Sequence, residues 1–130
     1  MLQHRMKEHI VVIEDNPDIL EVVEHLLNEE GYQVTTMSAL HDIDALLALN
    51  ADLYILDEQL PYINGHIICI ILKSKPQTRN KPVLLISALE EVNQFATLCE
   101  ADGYLKKPFL NIAELTTLVK NLLRSSQLSM

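Results

Sequence analysis

The chain has 130 residues, 48% apolar and 22% charged, the proportions of one soluble globular domain with a single core. With 18 acidic and 10 basic side chains its net charge is -8, which argues against a surface built to hold a polyanion, so direct DNA binding is not expected. No apolar stretch approaches the length of a membrane span, Glu14 and Asp15 interrupt the first hydrophobic run before it reaches signal-peptide length, and the expected location is the cytoplasm, with no membrane partner.

Residues 1–6 read as a flexible N-terminus, 7–124 as one domain and 125–130 as a flexible tail without periodicity. The run Ile10-Val11-Val12-Ile13 predicts a buried strand that ends at Glu14 and Asp15. Asn16-Pro17 then supplies a cap and a first-turn proline for a helix whose apolar face is Ile19, Val22, Val23, Leu26 and Leu27, closed by Gly31. Tyr32 to Met37 reads as the second strand, and Ser38 as the cap of a second helix carrying Leu40, Ile43, Leu46, Leu47 and Leu49. Leu53-Tyr54-Ile55-Leu56 predicts the third strand, ending in Asp57. A turn-rich loop from Leu60 to Gly65 leads to an apolar helix from Ile67 to Lys73. Lys75 to Lys81 is a surface connection, after which Pro82 opens a fourth strand that ends at Ser87. Glu90 to Glu100 predicts the fourth helix, Tyr104-Leu105-Lys106 a short fifth strand followed by Lys107, and Ile112 to Arg124 the last helix.

Strict alternation of strands and helices predicts an α/β fold with a parallel sheet covered on both faces. In such a sheet ligands bind at the carboxyl ends of the strands, where Glu14, Asp15, Asp57, Ser87 and Lys107 all fall. Adjacent carboxylates repel unless a cation or solvent relieves them, and Glu14, Asp15 and Asp57 form a hard oxygen set suited to Mg2+. Taken singly, Glu14 and Asp15 read equally well as caps of the first helix. Asp57 is placed to act as a nucleophile toward phosphorus once a metal screens the charges, with Ser87 as a hydroxyl donor and Lys107 as a positive charge for the phosphoryl group. Alone, Ser87 would be a turn residue and Lys107-Pro108 a turn.

The combination resembles the receiver domain of bacterial two-component response regulators, the CheY-like domains. It is carried by Val11-Val12-Ile13-Glu14-Asp15-Asn16, by Asp57 through Gly65, by Leu85-Ile86-Ser87-Ala88 and by Ala101 through Phe109. The resemblance implies a flavodoxin-like, doubly wound, five-stranded parallel sheet of order 2-1-3-4-5 with five helices. It implies Asp57 as phosphoacceptor, Glu14, Asp15 and Asp57 as Mg2+ ligands with the backbone carbonyl of Gln59, Lys107 as the phosphate-pairing lysine, and Ser87 and Tyr104 as the switch pair. Lys106 should point away from the site by strand alternation. Glu100 stands where the family more usually has glycine, which suggests an altered turn before the fifth strand.

The implied activity is a phosphorylation-dependent signalling switch rather than an enzyme acting on other molecules. Its phosphoryl donor would be a histidine kinase or phosphotransfer protein. Its downstream protein target would meet the face of the fourth helix, fifth strand and fifth helix, a face that also allows a homodimer. With no output domain attached, the chain would act as a diffusible effector, a phosphorelay intermediate or a piece of a larger regulator. A non-phosphorylated pseudo-receiver would keep only the binding role. An aspartyl-phosphate hydrolase of the haloacid dehalogenase type would need a second aspartate where Gln59 stands, and a flavodoxin-like electron carrier would need a phosphate-binding loop after the first strand. Cys69 and Cys99 read as core residues, and His25 and His66 as ordinary surface histidines without metal-ligand spacing.

Overall fold

The computed structural model describes residues 7–108 and 112–128. Its elements alternate as β1 (His9–Ile13), α1 (Pro17–Glu29), β2 (Gln33–Met37), α2 (Ile43–Ala48), β3 (Leu53–Asp57), α3 (Gly65–Ser74), β4 (Val83–Ser87), α4 (Val92–Cys99), β5 (Gly103–Lys106) and α5 (Ile112–Leu128). Neighbouring strands are all parallel, in the order β2-β1-β3-β4-β5. This is the doubly wound sheet that the alternating pattern predicts.

Side chains of a strand alternate between the two faces of a sheet, and the core divides accordingly. Val11, Ile13, Tyr54, Leu56, Val83 and Leu85 pack with Leu46, Ile68, Leu72, Val92 and Ala96 from α2, α3 and α4. Ile10, Val12, Leu53, Ile55, Leu84, Ile86 and Leu105 pack on the other side with Val23, Leu27, Leu115 and Val119 from α1 and α5. Each fully buried aliphatic side chain contributes roughly 1.5–3 kcal/mol, so the central strands are held on both faces. Cys69 and Cys99 are buried free thiols within the first of these clusters. No helix among the described residues is long and apolar enough to cross a membrane.

Several boundaries differ from the sequence reading. The cap of α2 is Asp42, whose carboxylate accepts the Asp44 N–H at 3.0 Å, and not Ser38. Leu40 is buried before the helix begins, so its helical spacing reflects the core rather than a helical turn. The tail expected at 125–130 is, through Leu128, the last turn of α5. Its polar residues find tertiary partners: Ser126 Oγ donates to the Asn80 carbonyl at 3.4 Å and Gln127 Nε2 to Glu8 Oε2 at 2.8 Å. The expected N-terminal segment 1–6 and the final residues 129–130 lie outside the described residues.

The amino ends of the strands are tied by carboxylates. Asp52 Oδ2 accepts the His9 N–H at 2.8 Å, and Asp102 Oδ2 accepts both the Val83 N–H at 2.8 Å and the Lys73 ammonium at 2.7 Å.

Glu100 enters the turn before β5 in a conformation that favours glycine. It closes α4 in the left-handed region, at φ 60 and ψ 35, and the next residue returns its N–H to Ala96 O at 2.9 Å. A side chain in that region costs about 1–2 kcal/mol, which glycine avoids at a smaller entropic cost. Glu100→Gly should therefore raise the unfolding free energy by about 0.5–1 kcal/mol in a urea titration, and a decrease would show that the carboxylate makes a stabilising contact in the turn.

Candidate functional site

The parallel register sets Ile13 beside Leu56 and Asp57 beside Ile86, so the residues that follow the strands share one edge. Alternation selects among them. Glu14 continues the row of Ile10 and Val12, Asp57 that of Leu53 and Ile55, and Lys107 that of Leu105, all on the α1–α5 face. Lys106 belongs to the opposite row, where it pairs with Glu90 and is half-exposed.

On the shared face one ammonium serves two buried carboxylates. Lys107 Nζ lies 2.9 Å from Glu14 Oε1 and 3.4 Å from Asp57 Oδ2. Glu14 Oε2 accepts the Asn16 N–H at 3.1 Å, and Asp57 Oδ1 accepts the Gln59 N–H at 3.3 Å. Glu14 has no exposed surface and Asp57 is 2% exposed, whereas Asp15 is open to solvent. The cap of α1 is Asn16, whose side chain accepts from Asp18 N and Ile19 N. Glu14 and Asp15 are thus not needed as caps.

Burial, and then the neighbouring Glu14 carboxylate, push the Asp57 carboxyl up from its ordinary 3.8 to about 7, against the opposing pull of Lys107 and the Gln59 N–H. The edge carries more negative charge than Lys107 balances. Glu14, Asp15 and Asp57 each offer an oxygen, all within 4.8 Å of one another. Ligand oxygens around an octahedral ion of this kind stand about 3–4 Å apart, so the donor set fits a hard divalent cation such as Mg2+.

The loop after β3 is set by a glycine that the sequence reading gave no role. A Cβ on Gly65 would stand 2.3 Å from the Asp57 carbonyl oxygen and 2.9 Å from its carbonyl carbon, so α3 begins in contact with the backbone of Asp57. His66, read from the sequence as a surface residue, is instead largely buried against Glu58, with Nδ1 2.5 Å from Glu58 Oε2. Its signal was a carboxylate eight residues upstream, a separation that only the β3–α3 loop brings into contact. Ser87 is fully buried, and its Oγ accepts the Leu89 N–H at 3.0 Å. Tyr104 is half-exposed and lines a shallow groove against Glu114 and Leu118 of α5.

The family model for the response regulator receiver domain matches residues 10–120. The chain belongs to this family. Among its curated relatives is the response regulator SaeR of Staphylococcus aureus, 31% identical over 117 residues, 88% of this chain and 50% of that protein. The chain thus spans about half the length of the curated relatives it matches. The signal receiver domain of a signal transduction histidine kinase from Syntrophus aciditrophicus is 31% identical with a TM-score of 0.82, covering 91% of each chain. The response regulator TrrA of Thermotoga maritima, solved in complex with Mg2+ and BeF, is also 31% identical, with a TM-score of 0.75 over 88% of this chain and 98% of that one. Receiver domains are signalling switches, and the fold described here is that of such a domain.

Two outcomes follow for the metal-free receiver. Because the folded state raises the Asp57 value, it holds that proton more tightly than the unfolded chain. The associated stability is complete below 3.8 and lost as pH rises through about 7. In chelator, Asp57→Asn should be more stable than the native protein by about 2 kcal/mol at pH 8 and by much less at pH 5, and parallel stability curves would refute the assignment. Gly65→Ala should lower stability by about 1–3 kcal/mol in urea, because backbone and not a flexible side chain must yield.

Proposed function

We propose that this receiver is a phosphorylation-dependent switch in which Asp57 accepts a phosphoryl group from a histidine kinase or phosphotransfer protein. One observation carries the reading: two buried carboxylates share the single ammonium of Lys107 beside a third, exposed carboxylate. The Mg2+–BeF complex of the Thermotoga neighbour supports it, as does the kinship to a two-component regulator.

Glu14, Asp15, Asp57 and the Gln59 carbonyl would hold Mg2+. When bound, the ion supplies the positive charge that lets an anionic carboxylate meet an anionic phosphoryl group. Ionised Asp57 presents an oxygen to phosphorus, the new O–P bond forms as the P–N bond to the donor histidine breaks, and the departing imidazole keeps the bond's electron pair and takes up a proton. Lys107, already within ion-pair distance of both Glu14 and Asp57, turns to the phosphoryl oxygens, which add charge where its contact with Asp57 is now weakest. Ser87 exchanges its contact with Leu89 N–H for one with a phosphoryl oxygen, and Tyr104, half-exposed on the neighbouring strand β5 in register with Leu85, reports the shift to the α4–β5–α5 face. That face would meet the downstream protein or a second copy. The working unit acts in the cytoplasm and includes α5 through Leu128, and its catalysis is confined to its own phosphorylation and dephosphorylation.

Intact-mass spectrometry after incubation with acetyl phosphate tests this. The native chain should gain one phosphoryl group with Mg2+ and none in chelator, and Asp57→Asn should gain none. No gain, under conditions where a control receiver reacts, would sink the proposal of self-catalysed transfer.

A further inference from the structure

Glu58, the residue directly after Asp57, is 2% exposed, and both oxygens of its carboxylate are engaged by one residue. His66 donates its backbone N–H to Oε1 at 2.8 Å and its ring Nδ1–H to Oε2 at 2.5 Å. The Glu58 carbonyl accepts the Gly65 N–H at 3.0 Å, and its own N–H donates to Ile86 O at 2.8 Å. Asn64, at the cap position of α3, makes no side-chain cap bond. Glu58 therefore supplies that cap from outside the helix and faces the helix's positive end. The His66 ring is further packed on Phe95 of α4, with centroids 5.0 Å apart and planes inclined by 27°.

Residue 58 is thus fixed on every side, and the two residues it separates are Asp57 and Gln59. A carboxylate this deeply buried holds its geometry only while both oxygens keep their donors, and loss of a donor leaves a charge that the fold must expel. Movement of Glu58 toward solvent would turn the peptide planes on either side of it, hence the Asp57 carboxylate and the Gln59 carbonyl.

We propose that Glu58 and His66 act as a positioning pair that aims Asp57 and the Gln59 carbonyl at one point, so that metal affinity and phosphoryl uptake depend on two side chains that touch neither. The proposal rests on the function proposed above. The pair acts on the metal ligands from the outer side, where losing an orienting contact weakens metal binding about 10–100-fold.

Calorimetric titration with Mg2+ alone, together with the rate of phosphoryl uptake at saturating acetyl phosphate, tests it on the full chain. His66→Leu should weaken Mg2+ binding about ten-fold and slow uptake in proportion. His66→Asn, whose amide N–H falls near the place of Nδ1–H, should recover most of the Mg2+ affinity although it lacks the ring. Phe95→Leu, which removes the stacking but keeps the pair, should bind Mg2+ within two-fold of the native chain. Native affinity in His66→Leu overturns the proposal, as does equal weakness of the Leu and Asn variants at matched unfolding free energy. A native chain that binds no Mg2+ overturns the proposed function itself, and with it this inference.

Discussion

The ammonium of Lys107, set between the carboxylates of Glu14 and Asp57, is the interaction on which the working edge depends. Both carboxylates leave adjacent central strands on the same face, and both are buried. At such distances like charges in a poorly polarisable surrounding disfavour one another by more than a surface pair would, and a single lysine offsets only part of that. Burial, and then the neighbouring Glu14 carboxylate, hold the Asp57 proton to about 7, and the oxygens of Glu14, Asp15 and Asp57 lie close enough together for one cation to meet all three. The backbone that carries the two carboxylates is held in place, because β3 is buried along its entire length and β1 from Ile10 to Ile13.

Backbone geometry makes that charge arrangement reproducible. The absence of a side chain at Gly65 lets α3 start against the Asp57 carbonyl, and the same short loop brings His66 back to Glu58. Asp57 is therefore bounded by a strand on one side and a helix start on the other. The apolar layers of α1 and α5 beneath one face, and of α2, α3 and α4 beneath the other, contribute the stability that sustains an under-neutralised edge.

What the sequence makes legible is governed by the range of the interaction behind each feature. Unbroken apolar runs identify the central strands because parallel strands are buried on both faces, and their ends place Glu14, Asp57, Ser87 and Lys107 at one edge. Alternation alone separates Lys107 from Lys106. Local rules misplace elements where the core intervenes. Leu40 mimics a helical turn from an irregular segment, and Ser126 and Gln127 lengthen α5 through contacts with residues near the other end of the sheet. Glu100 adopts a left-handed conformation that favours glycine, since the turn into β5 is fixed by hydrogen bonds to α4. The pairing of His66 with Glu58 was not legible, because neither residue type is unusual where it stands and only the loop between them brings them together.

The two edges of the sheet are stabilised in different ways. At the amino edge, Asp102 balances Lys73 and receives the Val83 N–H, and Asp52 receives the His9 N–H. Asp52 also pairs with Lys81 at 3.9 Å, so both charges are offset within the fold. At the carboxyl edge the sum is left open. Added positive charge is therefore favoured most at the carboxyl edge, where Glu14 and Asp57 share one ammonium, whereas each acid at the opposite end already has a lysine of its own.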